Sequence, residues 1–334
     1  MDTRTLGTNG PQVSTIGLGC MGMSPDLYGP SDEREAIVTI HAALDAGVTL
    51  LDTGDFYGMG HNELLIGRAL RDRRREDVAL SVKFGAQRGP DGAWLGYDAR
   101  PAAVKTALAY TLRRLGTDHV DVYRPARLDP DVPVEETVGA IAELVEAGFV
   151  RHVGLSEVGA DTVRRAAATA PISDLQIEWS LISRGVEAEI LAACREHGIG
   201  VTAYAVLSRG LISGHWTRDR DGGGGFDFRT TLSPRFQGEA LEHNLGLVDT
   251  LRAVAEGLDA SPAQVAIAWM LARGEDVVPL VGARRRDRLD EALGALELTL
   301  DAASLDRLEA AFPPGAAAGD RYAAAQMADL DSER

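Results

Sequence analysis

The chain has only two cysteines in 334 residues, Cys20 and Cys194, and they stand at neither metal-ligand nor redox spacing. A disulfide framework is excluded, and both are expected to be reduced, structural thiols. Basic residues are in deficit, 34 against 50 acidic ones, for a formal net charge of −16. That balance opposes nucleic acid and anionic membranes as partners, although a small anionic ligand responds to local charge instead. No apolar run approaches the roughly 18 residues that span a bilayer. The opening Met-Asp-Thr-Arg-Thr-Leu-Gly has no basic region ahead of an apolar core, so no secretory signal is expected and the cytoplasm is the expected location. No Pro/Ser-rich linker divides the chain, and one domain over residues 1–334 is expected.

What the chain does have is alternation. Strand-like runs occur at Thr15–Leu18, Val48–Leu51, Val78–Val82, Val120–Tyr123, Val150–Leu155, Leu175–Ile177, Gly200–Ala203 and Val277–Val281. Amphipathic helical stretches lie between most of them, including Glu33–Asp45, Pro101–Leu115, Val134–Ala147 and Val186–His197. Entry signals (Ser31-Asp-Glu, Asp98 ahead of Arg100-Pro101, Ser261-Pro262) and exit glycines (Gly47, Gly116, Gly148, Gly198) agree with those helices. Eight strands separated by helices predict a parallel sheet closed into a (β/α)₈ TIM barrel. Asn9-Gly10 predicts an N-terminal hairpin lying on the barrel's N-terminal face. Ser208 to His243, with Gly222–Gly225, is a long insertion between strands seven and eight and the candidate for a flap over a site.

Gly17-Leu-Gly19-Cys-Met-Gly22 spells a dinucleotide fingerprint, which requires a helix to begin there. Met23-Ser-Pro25-Asp-Leu-Tyr-Gly29-Pro30 cannot supply that helix, so these glycines are read as room for backbone near a ligand at the barrel mouth.

Two short stretches carry chemistry. Asp52-Thr-Gly-Asp-Phe-Tyr57-Gly follows the second strand and Lys83 closes the third. A lysine beside a phenol lowers the phenol's pKa, and an aspartate beside the lysine keeps it charged and oriented. Such a phenol can protonate a carbonyl oxygen, the task of a reductase's acid. Of the two basic clusters, Arg71–Arg75 reads as solvated helix-end surface, whereas Arg284–Arg288 follows the eighth strand.

These residues, with Gly60-His-Asn62-Glu63-Leu-Leu-Ile-Gly, Gly154-Leu-Ser156-Glu157, Gln176, Tyr204 and Gly282-Ala-Arg284-Arg-Arg-Asp-Arg288-Leu-Asp-Glu291, closely resemble the signature of the aldo-keto reductases. The chain is similar in particular to the branch holding potassium-channel β-subunits and pyridoxal reductases. The resemblance implies a barrel that binds NADPH and a small carbonyl substrate, with Tyr57 as general acid, Lys83 lowering its pKa and Asp52 holding Lys83. It implies that Tyr204 stacks on the nicotinamide, that Ser156 and Gln176 hold the carboxamide, and that Gly22, Met23, Leu207, Arg209 and Gly282 also border the cofactor. Arg284 and Arg288 would grip the 2′-phosphate, which suits guanidinium forks, with Glu291 on the adenine amine.

The pattern is broken where a histidine normally donates to the carbonyl. Asp121-Val-Tyr-Arg124-Pro-Ala126-Arg127 puts Ala126 there, and Arg124, two residues deeper on the same face, is the expected substitute, directly or through a water. The plainer expectation for Arg124 is a pair with a buried carboxylate such as Asp52. Glu157, Ala205 and Ala292 stand where asparagine, serine and asparagine are usual. Two alternatives follow: an NADPH-binding sensor or regulatory protein with weak reductase activity, and a barrel hydrolase using Asp52, Asp55 and Glu178. The oligomeric state is left open by the sequence.

Overall fold

The computed structural model describes residues 1–25, 27–218 and 226–334. Gly222–Gly225 lie outside the described residues. Two short strands come first, β1 (Thr3–Thr5) and β2 (Gln12–Ser14), paired antiparallel with Thr3 opposite Ser14. They form the hairpin expected around Asn9-Gly10. Then follow β3 (Gly17–Gly19), β4 (Leu50–Gly54), β5 (Ala79–Phe84), a second hairpin of β6 (Ala86–Arg88) and β7 (Trp94–Tyr97), β8 (Val120–Pro125), β9 (Val150–Ser156), β10 (Ile172–Glu178), β11 (Gly200–Tyr204) and β12 (Val277–Gly282). Among these, β3, β4, β5, β8, β9, β10, β11 and β12 close in that order into a parallel barrel. Each expected strand is one of its staves. The β6–β7 hairpin was not expected.

The helices start and stop for local reasons. Helix α1 (Glu33–Asp45) begins at Asp32, whose carboxylate accepts from the amides of Arg34 and Glu35. The helix over Pro262–Leu271 begins at Ser261 with a reciprocal capping box to Gln264. Gly47, Gly116, Gly148 and Gly198 all adopt the positive φ that ends a helix. After β3 comes only a 3₁₀ turn over Met21–Met23, so the glycine fingerprint opens no α-helix.

Strand alternation sorts each stave's side chains between two environments. Leu51, Leu80, Val82, Phe84, Tyr123 and Val153 face outward into the apolar layer under the helices. The opposite set fills the barrel in layers. The lowest is apolar, with Leu50, Ala79, Val278 and Leu280 packed on Leu6 and Val13 of the N-terminal hairpin. Above it lies a polar layer. Arg124 donates to Asp174 at 2.9 and 3.1 Å and to Ser81 Oγ at 3.0 Å, and both ions are fully buried. Thr202 donates to the same aspartate. Gly154 makes room for this pair, since a Cβ there would lie 3.1 Å from the Arg124 guanidinium carbon and from Asp174 Oδ1. The top layer opens into a cavity.

Candidate functional site

Two neighbouring staves, β4 and β5, with β10 across the barrel, set the centre of this cavity. The register of β4 and β5 pairs Asp52 with Ser81 and Gly54 with Lys83. Lys83 Nζ donates to Asp52 Oδ1 at 2.5 Å, while Ser81 Oγ and Gln176 Nε2 donate to Asp52 Oδ2 at 2.8 and 2.7 Å. The aspartate is thus held by three donors from two strands, β5 and β10. Tyr57 follows β4 on a turn in which Gly58 takes φ +58°, and a Cβ on Gly58 would come within 2.9 Å of His61 Cβ. The turn brings the phenol ring over Lys83, whose Nζ lies 5.1 Å from the ring centroid. Asn62 and Glu63 brace the turn from below. Asn62 accepts from Thr53 and donates to Cys20 O and Ser24 Oγ, and buried Glu63 binds Thr111 and Arg114. These two motif residues position the loop and do not line the cavity.

The electrostatics depart from the expectation that Lys83 acidifies Tyr57. Burial raises the Tyr57 pKa well above an ordinary phenol, and the charge of Asp52 raises it further. Asp52 occupies the lysine at hydrogen-bond distance, so the pair is nearly neutral as seen from the ring. Burial also pulls Lys83 below the usual lysine range, against the charge and hydrogen bond of Asp52. The cation that draws the phenol's pKa down is Arg127. At neutral pH the Tyr57 hydroxyl therefore carries its proton.

The cavity has a volume of about 520 Å³. It takes in Gly22, Asp52, Tyr57, Lys83, Ser156, Gln176, Tyr204, Leu207, Arg209, Gly282, Arg284, Arg288 and Glu291, so nearly every expected site residue lies on one surface. Two do not. Met23 is fully buried in the core beneath its turn. Arg124 sits one layer down, committed to Asp174, Ser81 and the Leu155 carbonyl, because the strand register places a carboxylate level with it. The plainer expectation of a buried ion pair holds, with Asp174 rather than Asp52 as partner, and Arg124 does not reach the carbonyl space above Ala126.

Within the arginine cluster the side chains divide. Arg285 and Arg286 are exposed and tied to Asp287 and Glu35. Arg284 and Arg288 border the cavity, as does Arg285, with Arg284 donating among the described residues only to the carbonyls of Tyr28 and Pro30 and Arg288 bonding Glu291, which also receives His215. Arg209 is buried, paired with Glu178 at 2.9 Å and laid over the Tyr322 ring at 4.3 Å. Glu157 adopts φ +52° and is fully buried. Arg321, Tyr204 Oη and Ser332 Oγ all donate to it, which drives its pKa far down despite burial. The Ser156 hydroxyl beside it is buried at the cavity wall and has no hydrogen-bond partner among the described residues.

Sequence reasoning missed the wall made by Tyr28, Trp94, Tyr97, Arg127, Tyr322 and Gln326. Arg127 was legible as the neighbour of Ala126. Tyr322 was not, since nothing local says that the chain's C-terminal stretch returns to the barrel mouth. There Tyr322 Oη meets Tyr204 Oη at 3.0 Å and accepts from Arg127 at 3.2 Å. No metal-binding cluster of His, Cys, Asp or Glu and no helix long and apolar enough to cross a membrane occurs among the described residues.

A closed parallel barrel with an Asp–Lys pair under a buried tyrosine at its C-terminal mouth defines a class of oxidoreductases, and comparison with known proteins agrees. Residues 15–312 match the model of the aldo/keto reductase family, and the chain belongs to that family. It is 41% identical over 321 residues to a probable aldo-keto reductase of Glycine max, covering 95% of this chain and 90% of that one. It is 38% identical to an aldo-keto reductase of Schizosaccharomyces pombe named for NADP(+), over 96% and 94% of the two chains. Among solved structures, a glycerol dehydrogenase from Gluconobacter oxydans superposes with a TM-score of 0.82 at 27% identity, covering 94% of this chain and 96% of that one. The holo form of an aldo-keto reductase from Bacillus halodurans does so with a TM-score of 0.77 at 28% identity, covering 98% and 99%.

Proposed function

We propose that the protein is an NADPH-dependent carbonyl reductase that converts an aldehyde or ketone to an alcohol, with Tyr57 as proton donor. The observation that carries this reading is the buried Tyr57 over the Lys83–Asp52 pair in the wall of a cavity of about 520 Å³ at the barrel mouth. The fit to NADPH rests on the chain's own unmet groups. Ser156 Oγ is buried without a partner among the described residues, and a carboxamide would give it one. Gln176 spends its amide nitrogen on Asp52 and keeps its carbonyl oxygen to accept from the same carboxamide. Tyr204 offers its ring, and Arg284 and Arg288 offer guanidinium groups to a 2′-phosphate.

When bound, NADPH supplies the hydride. The chain's part is to hold the carbonyl oxygen against Tyr57 Oη, to exclude water and to deliver the proton. A buried phenol keeps that proton at neutral pH and releases it only to the much more basic oxygen that develops as the carbonyl is reduced. Arg127 offsets the negative charge that builds on the phenol as its proton leaves. Ala126 offers no hydrogen bond to the oxygen, and a preorganised donor is worth roughly 3–4 kcal/mol. Slower turnover than that of an enzyme with the usual histidine is therefore expected.

NADPH should bind at least about tenfold more tightly than NADH, equivalent to about 1.4 kcal/mol, as read by tryptophan fluorescence. The Arg284→Ala, Arg288→Ala double variant should lose most of that preference. Equal affinities in the parent protein would overturn the cofactor assignment. NADPH binding without oxidation across a panel of aliphatic and aromatic aldehydes would favour a sensor instead.

A further inference from the structure

The substrate end of the cavity holds a cation, Arg127, with no carboxylate partner among the described residues. Arg127 follows Ala126 directly, and its guanidinium has two hydrogen bonds, to its neighbour's carbonyl at 2.6 Å and to Tyr322 Oη at 3.2 Å. Among the described residues no carboxylate oxygen lies within 4.0 Å of it. The nearest acidic influence is Glu157, which Arg321 already engages through both guanidinium nitrogens. Of the other arginines of the cavity wall, Arg209 has Glu178, Arg229 has Asp227, Arg285 has Asp287 and Arg288 has Glu291, while among the described residues Arg88 and Arg284 bond only backbone carbonyls.

The carboxylates among the described lining residues are equally committed: Asp52 to Lys83 and Glu291 to Arg288 and His215. Around Arg127 the wall is aromatic, from Phe56, Tyr57, Trp94, Tyr97 and Tyr322. Arg88, partway up the β6–β7 hairpin, adds a second cation over Trp94 at 5.9 Å. Arg127 is half-buried and faces the cavity, so its guanidinium can still take an anionic partner from a ligand. In a chain of net charge −16 such a local positive pocket is also what an anion would need to enter.

We propose that Arg127 anchors an anionic group on the substrate, so that the preferred substrates are carbonyl compounds bearing such a group, a carboxylate being the simplest, on an apolar or aromatic frame. The inference rests on the carbonyl-reductase reading and deepens it: Tyr57 serves the carbonyl oxygen and Arg127 the distant anion. A guanidinium fork matches a carboxylate with two parallel hydrogen bonds, and the aromatic walls accept the frame between the two groups.

The test compares 4-carboxybenzaldehyde with 4-methylbenzaldehyde, matched in shape and differing in charge, by NADPH consumption at low salt. The charged aldehyde should show at least about a tenfold higher kcat/KM, carried mainly by KM. Arg127→Met should reduce that ratio at least about tenfold, and Arg127→Lys should keep part of it. Benzoate against benzamide, titrated by tryptophan fluorescence, reads the same preference without turnover, and benzoate should bind more tightly. A parent ratio at or below one overturns the anchor, as does a ratio unmoved in a folded Arg127→Met protein. Should Arg127→Met fail to fold, the parent ratio and Arg127→Lys decide. Should neither aldehyde be reduced, the reductase reading falls, and the benzoate–benzamide comparison still decides whether Arg127 holds an anion.

Discussion

Glu157 pays for its place. Its φ of +52° lies in the left-handed region, which costs a non-glycine residue on the order of 1 kcal/mol or more. Asparagine, usual in the family pattern at this position, tolerates that conformation better. Glu157 offsets the strain with four donors, Arg321, Tyr204, Ser332 and the Glu178 amide. Glu157→Gln would take one of three carboxylates from Arg321, leaving Glu333 at 2.6 Å and Glu178 at 3.4 Å, and a loss of about 3 kcal/mol, the low end for breaking a buried pair, is expected. The sign with pH follows from the depressed pKa. The glutamate's contribution is fully present above its unfolded pKa of roughly 4.3 and fades as pH falls toward the lower folded value. Urea denaturation at pH 7 and pH 3.5 should therefore show a smaller difference between parent and variant at the lower pH. An unchanged difference would mean that Glu157 is not held as a charge. Arg124 belongs to the same scale. Arg124→Leu should destabilise by a similar amount, because it strands Asp174 in the barrel interior, and the soluble fraction on expression would register it.

At the scale of elements, the barrel staves were legible because each is an apolar run, most are set apart by amphipathic helices and four follow a glycine stop, and register did the rest. Asp52, Lys83, Ser156, Gln176 and Tyr204 could be placed from sequence because each stands at a strand's C-terminal end. The β6–β7 hairpin was hidden, since Ala86–Arg88 and Trp94–Tyr97 are short and mostly polar or exposed. The return of Arg321 and Tyr322 over the mouth was hidden because long-range contacts leave no periodicity behind. The partner of Arg124 was illegible for a related reason: which carboxylate lies level with it depends on the stagger of β8 and β10, not on any local pattern. The N-terminal hairpin, in contrast, announced itself by Asn9-Gly10 and closes the barrel floor with Leu6, fully buried against Leu50, Ala79 and Val278. Leu6→Ala should cost about 2–5 kcal/mol in chemical denaturation. It lies at the end of the barrel away from the cavity, so cofactor affinity should hold, and a matching loss of NADPH binding would show that the floor and the mouth are coupled.

For the whole molecule, charge is distributed against the average. The surface is acidic, while the cavity carries arginines at both ends, one set at Arg284 and Arg288 and the other at Arg127. Between them the barrel interior steps from an apolar floor through the Arg124–Asp174 layer to the Asp52–Lys83 pair, so that the tyrosine rests on a braced polar column. In the proposed reaction that tyrosine is the proton donor. The most direct measurement is aldehyde reduction by Tyr57→Phe, with NADPH affinity determined on the same protein. The expected result is a fall in kcat of roughly 10²–10⁴-fold with cofactor affinity within about twofold of the parent. Undiminished turnover in the phenylalanine variant would contradict the account, since the proton would then come from another group.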